Sequence, residues 1–178
     1  MFYMGSVMSF LATGEETDGR IALMEYRSRP GHEPPPHIHK WENETYYVLE
    51  GNVDFYSGDQ FLPAGPGDTV FLPQGEAHAF LVRTPSVRML ILVQATGEHP
   101  VGLDRYFRKM AEPAASMTLP EGAVTYAMDN PDHAIQVGAE NGLRMLSADE
   151  MAVTLPRYKR FGAATPTEGV RRREEATE

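Results

Sequence analysis

Residues 31–51 read Gly31-His32-Glu33-Pro34-Pro35-Pro36-His37-Ile38-His39-Lys40-Trp41-Glu42-Asn43-Glu44-Thr45-Tyr46-Tyr47-Val48-Leu49-Glu50-Gly51. Side chains on a strand alternate faces, so His37 and His39, two residues apart, project from the same side. A turn through Lys40–Asn43 brings the chain round, and Glu44 then points at the same spot from the start of the next strand. Two imidazoles and a carboxylate converging on one point suit a borderline divalent ion. The second informative segment is Gly67-Asp68-Thr69-Val70-Phe71-Leu72-Pro73-Gln74-Gly75-Glu76-Ala77-His78. Pro73 and Gly75 make a tight turn, and His78 opens the strand behind it. If the two segments pair in a barrel, His78 becomes a fourth ligand.

Outward from these segments, the first 97 residues read as β: short apolar or alternating runs punctuated by glycine and proline. Expected strands are Val7–Ala12, Arg20–Arg27, Thr45–Leu49, Val53–Tyr56, Thr69–Leu72, His78–Arg83 and Val87–Gln94. Turn signals separate them, as at Arg29-Pro30-Gly31, Gly58-Asp59 and Pro63–Asp68. Many short strands at this spacing suggest a sandwich or a closed barrel rather than an α/β sheet. Leu103, Tyr106, Phe107 and Met110 then recur at helical spacing within Val101–Glu112, and Pro113 stops that helix. Thr118–Met128 reads as a possible added strand. Asn130 as N-cap, Pro131 at the first helical position and Gly142 at the end signal a second helix. The expected organisation is a β-barrel with its following helix over 1–112, an extension with a short helix over 113–156, and a polar, charged tail over 157–178.

The composition narrows the chemistry. The 178 residues include no cysteine, which excludes disulfides and thiolate ligands and leaves nitrogen and oxygen to hold any metal. The formal charge is −9; the tail from residue 157 carries a net +2, so residues 1–156 carry −11. An acidic body repels phosphates, so nucleic acid is not an expected partner. Nothing approaches the ~18 consecutive apolar residues of a membrane span, and the amino terminus has no signal-peptide pattern. A cytoplasmic protein without membrane contact is the expectation.

These motifs resemble those of the cupin superfamily. Its first motif, glycine, five residues, His-x-His, three or four residues, glutamate, six residues, glycine, is matched by Gly31, His37, His39, Glu44 and Gly51. Its second, glycine, five residues, Pro-x-Gly, two residues, histidine, three residues, asparagine, is matched by Gly67, Pro73, Gly75 and His78, with Val82 in place of the asparagine. The resemblance implies an all-β-dominated double-stranded β-helix (jelly-roll barrel) with C-terminal helices. It also implies one divalent transition metal ion, iron, nickel, manganese, cobalt, copper or zinc, on His37, His39, Glu44 and His78. Cupins commonly dimerise by exchanging amino-terminal strands, and the apolar run Ser6–Ala12 makes a homodimer the expectation; the plainer reading is that this strand caps its own barrel.

Tyr46 and Val48 share the strand face of Glu44, and Phe80 and Val82 that of His78, so the four are expected to form an apolar substrate pocket beside the metal. Trp41 is either a surface anchor or a pocket lip, and His32, His99 and His133 read as surface or hydrogen-bonded histidines. Four protein ligands leave two positions of an octahedral ion for a chelating small molecule, and Glu44 is the group placed to take its proton. Three functions follow. The run from His37 to Gly51 and the helix after the barrel look like the quercetinase-like branch, which implies a dioxygenase acting on a chelating enol, flavonol or β-diketone. The others are a redox-neutral isomerase, cyclase or decarboxylase, and a non-catalytic metal- and ligand-binding module.

Overall fold

Residues 21–28 and 42–50 alternate inward and outward side chains almost without exception, and both become long strands with one buried face. A computed structural model describes residues 1–121 and 131–159. Its strands are β1 (Phe2–Tyr3), β2 (Ser6–Ala12), β3 (Ile21–Ser28), β4 (His37–His39), β5 (Glu42–Glu50), β6 (Val53–Ser57), β7 (Gln60–Ala64), β8 (Thr69–Leu72), β9 (His78–Val82), β10 (Val87–Ala95) and β11 (Leu143–Met145). Helices α1 (Leu103–Met110), α2 (Pro131–Glu140) and α3 (Ala148–Thr154) complete the described residues. One sheet runs β1-β2-β3-β10-β5-β8, the other β11-β4-β9-β6-β7, and the named pairs are antiparallel. This is the expected jelly-roll architecture with C-terminal helices.

The two sheets enclose an apolar core in which Met24, Val48, Phe55, Met89 and Val93 are fully buried. Tyr46, Phe55 and Phe80 meet there with ring centroids 4.8–5.8 Å apart, tilted or edge-on, the geometry aromatic quadrupoles favour. Gly51 turns β5 into β6 at φ 83°, and a Cβ there would stand 2.4 Å from the Ser86 carbonyl oxygen. The turn therefore requires glycine on both counts.

Differences from the expected elements have local causes. Pro63 suggested a turn, yet it lies in β7, an edge strand where a missing N–H costs no ladder bond. β5 begins at Glu42 rather than beyond Asn43, so the turn after His39 is only Lys40–Trp41. β11, three residues long, carried no readable periodicity; it pairs with β4 with Leu143 opposite His39 and Met145 opposite His37. β2 pairs with β3 of its own chain. Of the possible strand Thr118–Met128, residues 118–121 are irregular and the rest lies outside the described residues, as do the N-cap assignment at Asn130 and the tail beyond Lys159. Among the described residues, no helix is long and apolar enough to cross a membrane.

Candidate metal centre

β4 places His37 and His39 inward with Ile38 between them, and His37 sits directly opposite His78 on β9. The turn before β9 is tied down by the Gly75 N–H, which donates to the His39 carbonyl at 2.9 Å. Glu44 approaches from the other sheet, on β5 between Leu72 of β8 and Val93 of β10. All four side chains are buried, and their ligand atoms lie within 4.8 Å of one another. His37 Nε2 is 3.0 Å from His39 Nε2 and 3.3 Å from His78 Nε2, and Glu44 Oε2 is 3.3 Å from His78 Nε2 and 3.6 Å from His39 Nε2. The sequence-derived ligand set is therefore brought together complete.

The far side of each ring fixes what faces inward. His37 Nδ1 lies 2.9 Å from the Pro35 carbonyl, His78 Nδ1 3.0 Å from the Glu76 carbonyl, and His39 Nδ1 2.7 Å from Glu42 Oε1. These oxygens only accept, so each Nδ1 carries the hydrogen and each neutral ring turns a bare Nε2 lone pair to the centre. Glu44 Oε2 is buried and has no hydrogen-bond partner. Three lone pairs and an orphaned carboxylate oxygen, all buried, repel one another unless a cation lies among them. The donor set, nitrogen and oxygen only, fits a borderline divalent ion.

Without a cation, protons take up the strain. Burial, with His78 and His39 beside it, drives His37 from 6.5 down to about 3. Burial alone would also lower His39, but the Glu44 and Glu42 carboxylates outweigh it and raise that ring. Burial opposes ionisation of Glu44, yet the three histidines hold it down at about 2. Glu44 thus stays an anion ready to ligate, and a proton on His39 is what a metal displaces.

Beside the cluster lies a narrow cavity bounded by His37 and Glu44 at one end, with Tyr26, Tyr46, Phe80 and Ile91 from the barrel. Leu103, Tyr106 and Phe107 of α1, Tyr3 of β1 and Leu143 and Met145 of β11 form its other walls. Two of the four expected pocket residues, Tyr46 and Phe80, line it. Val48 and Val82 do not: each lies one inward step further along its strand, buried in the core and paired with Met89 and Val53 respectively. Trp41 does not line this cavity; it stacks on His99 with ring centroids 4.4 Å apart.

Two acidic residues escaped the sequence reading. Glu42, placed in a turn by that reading, is inward on β5, because alternation extends from Glu44 back to it. Glu33 is buried in the loop before β4, where its carboxylate accepts from Gly31 N–H at 2.8 Å and Val82 N–H at 2.9 Å. A side-chain acceptor thus holds the backbone at the very position where the motif's asparagine is replaced.

Fold and cluster together define a double-stranded β-helix with a buried four-residue centre suited to a metal. Residues 24–93, which include all four residues of the cluster, match the family model described as the cupin domain, and this segment is a cupin domain. It is 25% identical over 104 residues to a quercetin 2,3-dioxygenase of Bacillus subtilis (strain 168), a match covering 58% of this chain and 29% of that relative. The chain thus spans less than a third of that relative's length. Among solved structures, it resembles a predicted oxalate decarboxylase from Thermotoga maritima, with 24% identity, a TM-score of 0.47, and coverage of 51% of this chain and 81% of the other. It also resembles the Streptomyces nucleoside dehydratase Pac13, with 19% identity, a TM-score of 0.45, and coverage of 55% of this chain and 76% of the other.

Proposed function

We propose that the chain is a metal-dependent dioxygenase for a small, neutral molecule that chelates through an enol, as a β-diketone or flavonol does. The observation that carries this reading is Glu44 Oε2, buried, unpartnered and directed at three imidazole nitrogens at the end of the cavity. His37, His39, Glu44 and His78 would hold one divalent transition metal ion. When bound, such an ion acts as a Lewis acid that acidifies a chelating enol. Glu44 then serves as the proton acceptor by loosening from the cluster.

The walls support a neutral substrate. They present rings, aliphatic side chains and the phenols of Tyr3, Tyr26, Tyr46 and Tyr106, and among the described residues they include no lysine or arginine to neutralise a substrate carboxylate. The Tyr26 hydroxyl is held by Ser6 Oγ at 2.7 Å and Tyr3 and Tyr106 hold each other at 2.5 Å, so these phenols are preset to orient an oxygen rather than free to wander. Burial and the Glu44 charge push the Tyr46 phenol well above its ordinary range, which keeps it a hydrogen-bond donor. The cavity volume is about 30 Å³, room for about two waters. A small β-diketone needs less displacement of the walls than a three-ring flavonol.

The same phenols favour a second reading, redox-neutral isomerisation, cyclisation or decarboxylation, in which protons move and dioxygen is not used. Oxygen consumption decides between them. Metal-loaded protein is assayed by oxygen electrode against a panel of β-diketones and flavonols. Uptake with any of them supports the dioxygenase; turnover without uptake transfers the assignment to the redox-neutral reading. Binding without turnover makes the chain a ligand-binding module. The expected partner beyond the small molecule is a second copy of the chain.

A further inference from the structure

Glu42 is 2% exposed, and both of its oxygens are used. Oε1 accepts from His39 Nδ1 at 2.7 Å and from the Leu103 N–H at 3.1 Å, while Oε2 accepts from the Gly102 N–H at 2.7 Å. Gly102 and Leu103 are the N-cap and first residue of α1, and Gly102 has no side chain to cap its own helix. It must be glycine, since a Cβ would stand 1.9 Å from the Asn141 carbonyl oxygen just after α2. A carboxylate from the barrel therefore satisfies helix-end amides that would otherwise be buried without acceptors. The anion also lies at the positive end of the helix dipole.

The same helix supplies Leu103, Tyr106 and Phe107 to the cavity wall. One carboxylate thus touches a ligand ring on one side and the wall of the substrate cavity on the other. We propose that Glu42 is a positioning residue that couples metal occupancy to the docking of α1, so that loading His39 tightens the wall of the cavity. A cation on Nε2 draws electron density from the imidazole and strengthens the Nδ1–H bond to Glu42. That bond fixes the carboxylate orientation in which Oε2 meets Gly102 and Oε1 meets Leu103. By reciprocity, a docked α1 favours metal binding by the same factor. The inference rests on the metal-binding part of the functional reading and not on the reaction catalysed.

The test uses zinc as the probe and needs no turnover. In the wild-type chain, hydrogen exchange at the Gly102 and Leu103 amides is measured with and without saturating zinc. The expected result is slowing by about tenfold. Glu42→Gln keeps the shape of the side chain and removes its charge; zinc affinity should fall roughly 10–100-fold, and at saturation the slowing at Gly102 and Leu103 should be lost. Wild-type zinc binding with unchanged exchange at these amides overturns the coupling while leaving the metal site intact, and this arm holds even if the variant does not fold. Wild-type affinity and slowing in a folded Glu42→Gln variant overturn it as well. No zinc binding by the wild type overturns both this inference and the metal centre.

Discussion

His37 and His78 face each other across the β4–β9 pair with their Nε2 atoms 3.3 Å apart, and both rings spend their Nδ1 hydrogens on backbone carbonyls. Two neutral rings so arranged have nothing to share, and the third ring and Glu44 add two more acceptors. The expected stoichiometry is therefore about one divalent ion per chain, held by nitrogen and oxygen alone. Elemental analysis and X-ray absorption would check this; a His37→Ala, His39→Ala double variant that retains as much metal as the wild type would exclude the centre.

The ligands come from both sheets, but the core beneath them is apolar and continuous. Chelation should therefore lower stability without unfolding the protein. The expected difference is about 4 kcal/mol when free metal exceeds its dissociation constant a thousandfold. Thermal melts with and without chelator measure it, and complete unfolding on metal removal would show the core to be insufficient by itself.

The metal-free protein should be most stable near the ordinary histidine value of 6.5. His37 is lowered to about 3 in the fold, so the unfolded chain takes up a proton that the native one refuses, and stability is lost as pH falls from 6.5 toward that value. His39 is raised, so its contribution is complete below 6.5 and is lost as pH rises through its higher native value. Glu44, lowered from 4.5 to about 2, contributes above 4.5 and adds a further loss below it. Urea midpoints of chelator-treated protein across this range should trace a maximum, and saturating metal should abolish the alkaline decline. A midpoint that climbs steadily with pH would contradict the balance.

What could be read ahead of the structure was what short-range pattern encodes. His37, His39, Glu44 and His78 stand at alternation spacing beside marked turns, and the structure brings all four together. Glu42 lies two residues before Glu44 on the same strand face, but the expected turn through Lys40–Asn43 covered it, and its amide partners on Gly102 and Leu103 stand about sixty residues away. Val48 and Val82 obey the same alternation as Tyr46 and Phe80; sequence periodicity gives the face of a strand but not the depth at which a barrel closes. β11 was invisible because a three-residue strand acquires its conformation from its partner.

Replacement of Glu44 should separate holding the metal from moving the proton. Glu44→Gln retains size and a carbonyl oxygen, and three histidines remain, so metal affinity should weaken and persist. Turnover of metal-saturated variant should fall by about 10² or more. Equal rates in loaded wild type and variant would assign the proton to another group in the cavity.

We propose that the chain forms a homodimer through the outer face of the β3-β10-β5-β8 region. Phe71 (54% exposed) and Tyr47 (42% exposed) are diagonal neighbours there, with Leu90 opposite Tyr47. Light scattering should give twice the chain mass, and Phe71→Glu, Tyr47→Glu should halve it. Monomeric wild type at micromolar concentration would count against the dimer.

β4 carries two of the four ligands, yet it is joined to β9 by a single residue pair and to β11 by three. Without β11 it would be a naked sheet edge offering unpaired amides to any extended peptide that came by. The short strand beyond α2 is thus a seal: it denies the ligand-bearing edge to foreign chains, and loss of residues 131–159 should show first as self-association through that edge, before any loss of the barrel itself.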